Sequence, residues 1–282
     1  MDNYVFNCIV LRAILCTSHS SHRILLTCQS TSKHLNVERK ENNKMDNQVM
    51  ERHLNDSEKV VIVQKRKGCF QECLGCEHED FFDIYKNDEK TKFATAKEDA
   101  SFCCRCLCSP NHEFTVNMKE EGTNAEMMSF HHPFKWFASC CTCCCFQEMT
   151  MKMGGKEIGM MKDQAYCCVP RFTVVDEKGE GVYKVHQPTC VGGICVNYCY
   201  DGLCNCKTAF QVFPHDQEDT DNGAGHIGEI IKKPRSLATE LFSDAAIFDV
   251  TMPNGATVEQ KGLLIGTALF LNSAFFEDKG NE

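Results

Sequence analysis

Gly262-Leu-Leu-Ile-Gly-Thr-Ala-Leu-Phe-Leu-Asn-Ser-Ala-Phe-Phe276 is apolar nearly all the way round a helix, with Lys261 before it and Glu277 after it. A helix with no polar face is buried, either in protein or in lipid. Crossing a bilayer takes about 20 apolar residues, and runs of about 10–14 belong to core helices. This run falls between those limits and contains Asn272 and Ser273, so the composition favours a core helix over a membrane span. The residues that would carry either role are Gly262, Leu264, Gly266, Leu269, Phe270 and Phe275. Gly262 and Gly266 form a G-x-x-x-G pair, which lets a neighbouring element approach closely.

A buried helix needs a wall around it, and the preceding sequence supplies β-structure. Short runs that alternate or are rich in β-formers are separated by turn residues. Strands are expected at Asp80–Lys86, Lys92–Lys97, Glu113–Met118, Glu126–Phe130, Phe146–Met153, Glu157–Met161 and Arg171–Val175. Further strands are expected at Gly181–His186, Ile194–Tyr200, Thr208–Phe213, His226–Ile231 and Ala246–Met252. Turns are expected at Gly154-Gly155, Lys178-Gly179 and Asn222-Gly223. The run Phe146-Gln-Glu-Met-Thr-Met-Lys-Met alternates as a half-buried strand does. About twelve short strands at this spacing point to an all-β sandwich or barrel. Residues 1–60 are rich in Ser, Asn, His and charge, with weak hydrophobic periodicity, and read as a mostly disordered extension. Residues 61–282 read as the folded domain, and Met45 is a second candidate start beside Met1.

The chain has 22 cysteines in 282 residues. Disulfide scaffolds are usually short secreted chains that cannot build a core. This chain is 43% hydrophobic, and its apolar stretch Val5–Cys16 lacks the positive leading region and cleavage site of a signal peptide. A reducing compartment with free or acylated thiols is therefore expected. Five cysteines fall in six positions, at Cys140, Cys141, Cys143, Cys144 and Cys145, just after Trp136 and Phe137. Packing alone does not explain this density, and thioester lipidation, metal binding and disulfides are the three chemistries that would. A net charge of −9 argues against general affinity for nucleic acid, which needs a basic surface. Two short basic runs, Lys65-Arg66-Lys67 and Lys232-Lys233-Pro234-Arg235, suit solvated surface, anionic head groups or an import receptor.

Several motifs, in order, resemble the phospholipid scramblases over roughly residues 66–280. They are Cys103-Cys-Arg-Cys-Leu-Cys108 before Glu113-Phe-Thr-Val, the cysteine cluster followed by Phe146-Gln-Glu-Met, and Val169-Pro-Arg-Phe-Thr-Val. The cysteine-laced stretch 190–206, Glu240-Leu-Phe-Ser-Asp-Ala and the terminal Gly266–Glu277 run complete the series. The resemblance implies a tubby-like fold, mainly β, with a closed twelve-stranded barrel around a hydrophobic C-terminal helix. It implies a lipid translocator, not an enzyme, on the cytoplasmic face of the plasma membrane. Such a protein acts on membrane phospholipids when calcium rises, with palmitoyl groups on Cys140, Cys141, Cys143, Cys144 and Cys145. Each buried methylene contributes about 0.8 kcal/mol, and stable anchoring takes two or more chains. Oligomers are compatible with this reading, and no nucleic-acid partner is expected. The proline-rich N-terminal arm of some family members has no counterpart here.

The calcium segment departs from the family pattern, approximately D-A-D-N-F-G-I-Q-F-P-L-D. Here it reads Asp244-Ala-Ala-Ile-Phe-Asp-Val-Thr-Met-Pro-Asn-Gly255. Calcium takes six to eight oxygen ligands, several of them charged. Asp244 and Asp249 make a poor set, so weak or absent calcium binding is expected.

Rival readings of the cysteines are weaker. Cys69-x-x-x-Cys73-x-x-Cys76 has the spacing of a radical iron–sulfur site, but the β-pattern lacks the barrel-enzyme repeats. Zinc held by Cys103, Cys106, Cys140 and Cys143 would need an unusually long separation. His131, His132, His186 and His215 have no motif pairing them with a nucleophile. An alternative function is a palmitoyl-tethered tubby-like module that binds lipids or proteins without transport.

Overall fold

The computed structural model describes residues 48–65, 80–88, 90–100, 113–135, 146–164, 169–188, 208–217, 224–233 and 246–276. The chain divides into Met1–Lys44, which lies outside the described residues, and Met45–Glu282. The second unit is mainly β: twelve antiparallel strands close into a barrel, and a C-terminal helix runs inside it.

The strands are β1 Lys59–Gln64, β2 Phe81–Lys86, β3 Lys92–Asp99, β4 Phe114–Glu120, β5 Glu126–His132 and β6 Glu148–Met153. They continue as β7 Lys156–Asp163, β8 Arg171–Asp176, β9 Gly181–His186, β10 Thr208–Pro214, β11 Gly228–Lys232 and β12 Ile247–Thr251. Each pairs with its sequence neighbours, and β1 closes the ring on β12 with Ile62 opposite Phe248 and Val60 opposite Val250. Alternation sets the inner face. On β6, Met149, Met151 and Met153 are buried, while Thr150 and Lys152 point outward. The β6–β7 turn is Gly154-Gly155, both at positive φ (55° and 73°), the backbone that a tight hairpin requires and glycine adopts freely.

Eleven of the expected strands lie where the sequence placed them, within a few residues at their ends. Ile194–Tyr200 lies outside the described residues, as does Asn222-Gly223. The twelfth described strand is instead Lys59-Val-Val-Ile-Val-Gln64. Its unbroken β-branched run gives no alternation to read, because Val61 on the outer side is also buried.

The described residues begin at 48, before the boundary at 61 expected from composition. Residues 48–54 form a short helix, α1, whose Met50 and Leu54 are fully buried in the core. Val49, Met50 and Leu54, in an otherwise polar stretch, are a faint signal of one helical face. His53 stacks on Phe93 at 5.1 Å, and Glu120 accepts from His53 Nε2 at 2.9 Å and Arg52 at 3.3 Å. The Thr123 hydroxyl, then His53, holds the Glu120 carboxyl below its usual range.

The apolar terminal run forms α2, Val258–Leu271, and continues as a π-helical turn, Asn272–Phe276. Thr257 and Gln260 form a capping box that satisfies the first free amides. All residues from Lys261 to Leu271 are buried, as a helix apolar on every side requires. The Thr267 hydroxyl donates to Leu263 O at 2.8 Å, so its polar atom is paired inside the barrel. The neighbours of α2 give its direction. A Cβ on Gly262 would lie 2.7 Å from Met128 Cε, and one on Gly266 would lie 2.5 Å from Met151 Sδ and 2.7 Å from Phe130. Phe270 meets His132 and Phe172, at 5.9 and 5.8 Å between ring centres. Met128, Phe130 and His132 follow one another along β5, so α2 runs parallel to that strand. The two glycines let α2 approach the β5–β7 wall.

Candidate functional site

Antiparallel order sends alternate connections to opposite ends of a meander barrel. The short hairpins β2–β3, β4–β5, β6–β7 and β8–β9 share one end with the start of α2. The connections β1–β2, β3–β4, β5–β6, β7–β8, β9–β10 and β11–β12 leave from the other. Every cysteine beyond Cys28 lies in the first five of these six connections. The strand ends that flank these cysteine-bearing connections lie at one end of the barrel. All 22 cysteines, including Cys140, Cys141, Cys143, Cys144 and Cys145, lie outside the described residues, as do Trp136 and Phe137.

The strand ends that hold the five-cysteine connection are described. Lys135 Nζ lies 3.1 Å from Glu148 Oε1, across the base of the connection. His132 Nε2 pairs with Gln147 Oε1 at 3.0 Å, one step further in. His132 is itself stacked on Phe114 at 4.8 Å. The connection therefore leaves the barrel from a cross-braced base between β5 and β6. On the neighbouring strand end, the Asp163 backbone amide donates to Gln147 O at 2.8 Å.

Burial pushes the Asp163 carboxyl up to about 6, from an ordinary 3.8, and its Oδ1 is a buried atom without a hydrogen-bond partner. The folded chain therefore holds this proton more tightly than the unfolded chain does. The stability it contributes is complete below the unfolded value and is lost as pH rises through about 6. Asp163→Asn should stabilise the protein at neutral pH by about 1–2 kcal/mol, after discounting for solvent at a half-buried site. It should give little gain at about pH 4. Urea unfolding of both proteins across that range checks this, and parallel pH profiles would refute it.

Of the two carboxylates read as a calcium pair, Asp244 lies outside the described residues. Asp249, on β12, is 8% exposed. Lys59 Nζ donates to its Oδ2 at 2.5 Å and Lys233 Nζ lies 3.0 Å from its Oδ1. One ammonium thus hydrogen-bonds one oxygen and a second is ion-paired beside the other, whose hydrogen-bonding capacity is unfilled, so a cation would have to displace both lysines. Among the described residues, no group of three or more His, Cys, Asp or Glu side chains is placed to hold a metal ion. Asp249→Asn should cost about 1–2 kcal/mol, since the pairs are partly exposed. It should leave any calcium-induced shift in melting temperature as it is in the parent protein. A calcium response abolished by the substitution would restore Asp249 as a ligand.

The remaining sequence-selected residues fall on α2 and its end. Leu264 is fully buried, Leu269 and Phe270 nearly so, and Phe275 is partly buried against the core. Gly262 and Gly266 face the β5–β7 wall. The histidines serve packing: His186 stacks on Phe213 at 4.7 Å, and His131 pairs with the Thr115 hydroxyl at 3.1 Å. Sequence reasoning missed that the strand ends flanking the cysteine connections share one barrel end, a consequence of strand order.

The Scramblase family model matches residues 40–278. The chain is 27% identical over 225 residues to "Phospholipid scramblase 1" of Homo sapiens, covering 79% of this chain and 64% of that protein. It is 26% identical over 220 residues to "Phospholipid scramblase 2" of Bos taurus, covering 77% of this chain and 68% of the relative. It is 22% identical over 222 residues to "Phospholipid scramblase family member 5" of Homo sapiens, covering 77% and 74%. The match thus spans less than two thirds of the human scramblase 1. No solved structure matches the chain significantly. The family match runs from before α1, through all twelve strands, to beyond the helix they enclose, and the chain belongs to the Scramblase family.

Proposed function

We propose that this protein moves phospholipids between the leaflets of the plasma membrane. It is held at the cytoplasmic face by palmitoyl groups on Cys140, Cys141, Cys143, Cys144 and Cys145. It is a lipid translocator, with no catalytic residue and no nucleic-acid partner. The observation that carries this reading is a family match over the whole barrel and its helix, together with relatives that are all named phospholipid scramblases. Support for the tether comes from the braced base of the five-cysteine connection and from the strand ends flanking the cysteine connections, which share one barrel end. Several acyl chains there would give the two or more anchors that stable attachment takes. Calcium binding is weak or absent in this reading, because Asp249 is already engaged by Lys59 and Lys233.

The physical task of such a protein is to lower the cost of carrying a polar head group through hydrocarbon. Unsatisfied polar groups there cost several kcal/mol each. A barrel filled by its own helix has no lumen to offer, so the lipid path in this reading runs along the outer wall or through bilayer thinned beside it. Among the described residues no helix is long and apolar enough to cross a membrane. That observation favours a second reading, a palmitoyl-tethered tubby-like module that binds lipids or proteins without transport.

Vesicles carrying the purified protein and a fluorescent lipid separate the two readings. With the outer leaflet bleached chemically, transport takes the loss of signal well beyond about half in intact vesicles. Loss that stops near half, in vesicles shown to contain the protein, sinks the transport reading and leaves the tethered module. A calcium titration in the same assay tests the expectation of weak or absent calcium dependence.

A further inference from the structure

We propose that the outer wall of β2–β4 carries a binding groove for the head group of an anionic phospholipid at a bilayer surface. The inference rests on the reading that the protein works at a membrane, and it adds which face meets the lipid.

The groove has a volume of about 490 Å³ and lies among Lys65, Phe81, Lys97, Asp99, Asn117 and Lys119. Strand register assembles it. Phe81 stands opposite Lys97, and Lys97 stands opposite Asn117. Lys119 stands opposite Thr95, one step along the same wall. The backbone amide of Lys65 donates to Phe81 O at 2.7 Å, which sets Lys65 beside the ring. Three lysines face one lining carboxylate, Asp99. The nearby Asp83 lies 3.1 Å from Lys65 and 3.5 Å from Lys92, and Lys92 also lies 3.0 Å from Glu121, so Lys65 is partly neutralised while Lys97 and Lys119 stand against Asp99. In a chain of net charge −9, this is a local basic surface with a concave shape. Its complement is anionic.

Phe81 distinguishes a lipid surface from a soluble anion. It is 43% exposed, one of only three large hydrophobic side chains so exposed among the described residues. Lys97 Nζ lies 5.5 Å from the centre of its ring. An exposed aromatic ring between ammonium groups suits the boundary between phosphate and acyl chain, where one side is wet and the other apolar. The position agrees. Lys65 directly follows the end of β1, Phe81 begins β2, and Lys97 is close to the end of β3. These are the strand ends from which cysteine-bearing connections leave. Acyl chains on connections that leave from these strand ends and lipid head groups in this groove would meet one bilayer.

The test uses the full chain, treated with hydroxylamine to strip thioester-linked acyl groups, so that the tether does not mask the groove. Sedimentation with phosphatidylcholine vesicles is compared with and without phosphatidylserine. Binding should need phosphatidylserine and should weaken as salt rises. Lys97→Gln with Lys119→Gln should lower vesicle partition by roughly 25-fold, at about fivefold per lysine near an anionic surface. Phe81→Ser should remove the binding that survives high salt. Lys178→Gln, at an exposed hairpin on the opposite end of the barrel, should leave partition within about twofold of the parent, well short of the loss expected from a contacting lysine. Unchanged thermal melts confirm that the variants are folded.

Binding that ignores phosphatidylserine, or that the double variant retains, overturns the groove. So does an equal loss in Lys178→Gln, which would mean diffuse attraction. Displacement by soluble glycerophosphoserine as effective as by vesicles would reassign the site to free phosphate esters and also overturn the membrane assignment. Scrambling by the parent protein is read separately. Phosphatidylserine-dependent binding without scrambling removes transport and keeps the groove, whereas scrambling by a double variant that keeps its binding removes the groove and keeps transport.

Discussion

Phe270→Ala should lower the free energy of unfolding by about 3–5 kcal/mol, the range for deleting a buried aromatic side chain. Phe270 is 2% exposed and sits where α2 passes the ends of β5 and β8. Its ring meets His132 at 5.9 Å and, edge to face, Phe172 at 5.8 Å. The size of the loss depends on how far the surroundings can collapse into the space. Here they have little freedom, since each of the twelve strands of the wall is hydrogen-bonded on both sides. The same substitution on a helix facing lipid would remove contacts that lipid tails replace, and the barrel would keep its stability. Urea unfolding followed by circular dichroism therefore measures where α2 spends its time. A change below about 1 kcal/mol would show that Phe270 is not packed within the wall, because a single lost core ring costs several times more. Phe275→Ala is the internal comparison. Its ring touches Phe172 and Phe210 at about 6 Å from the looser π-helical turn, and its loss should be the smaller of the two.

The barrel was legible because two signals agreed. A helix apolar on all sides demands enclosure, and strands that alternate between buried and exposed residues can supply it. Met149, Met151 and Met153 announce the inner face of β6 without any structure. The parts that escaped were those whose signal is not periodic. Val60-Val-Ile-Val63 is apolar at every position, with Val61 buried on the outer face, and so shows no alternation, and Met50 with Leu54 is too short a pattern to stand out among charged neighbours. The sites depended on register, which no local pattern contains. Asp249 reads as a surface carboxylate until β12 is set between β1 and β11, which brings Lys59 and Lys233 to its two oxygens. Lys65, Lys97 and Lys119 are unremarkable charges along the sequence until pairing sets Lys65 and Lys97 beside Phe81 and Lys119 on the same wall. The five-cysteine segment was visible at once, but its shared end with the other cysteine connections follows only from the strand order.

Lys261→Met should cost about 3 kcal/mol and should loosen α1 from the barrel before the barrel itself unfolds. Lys261 is the one cation in the buried run of α2, and it is 6% exposed. Its ammonium donates to Leu54 O at 2.8 Å and Asn55 O at 2.7 Å. These carbonyls end α1, where the helix lacks partners for its last acceptors and where a cation is favoured. Burial holds the ammonium pKa below the usual lysine range, so the residue is kept charged at a cost that these two bonds offset. Methionine keeps most of the apolar stem and removes only the donors, leaving Leu54 O with the Ser57 amide alone, at 3.1 Å, and Asn55 O without its ammonium. Hydrogen bonds to charged groups contribute about 1.5–3 kcal/mol each, less whatever water recovers at the partly exposed Asn55 carbonyl. The contacts of α1 through His53 and Glu120 remain, so its release should be partial. Limited trypsin digestion is the sensitive measurement, because Arg52 lies on α1 with its side chain 65% exposed. Cleavage after Arg52 should be faster in Lys261→Met, with the barrel fragment left intact, and the urea midpoint should fall. Equal cleavage rates and equal midpoints would show that Leu54 and Asn55 do not depend on this lysine, and that α1 is held by its buried Met50 and Leu54 and by the His53–Glu120 contact.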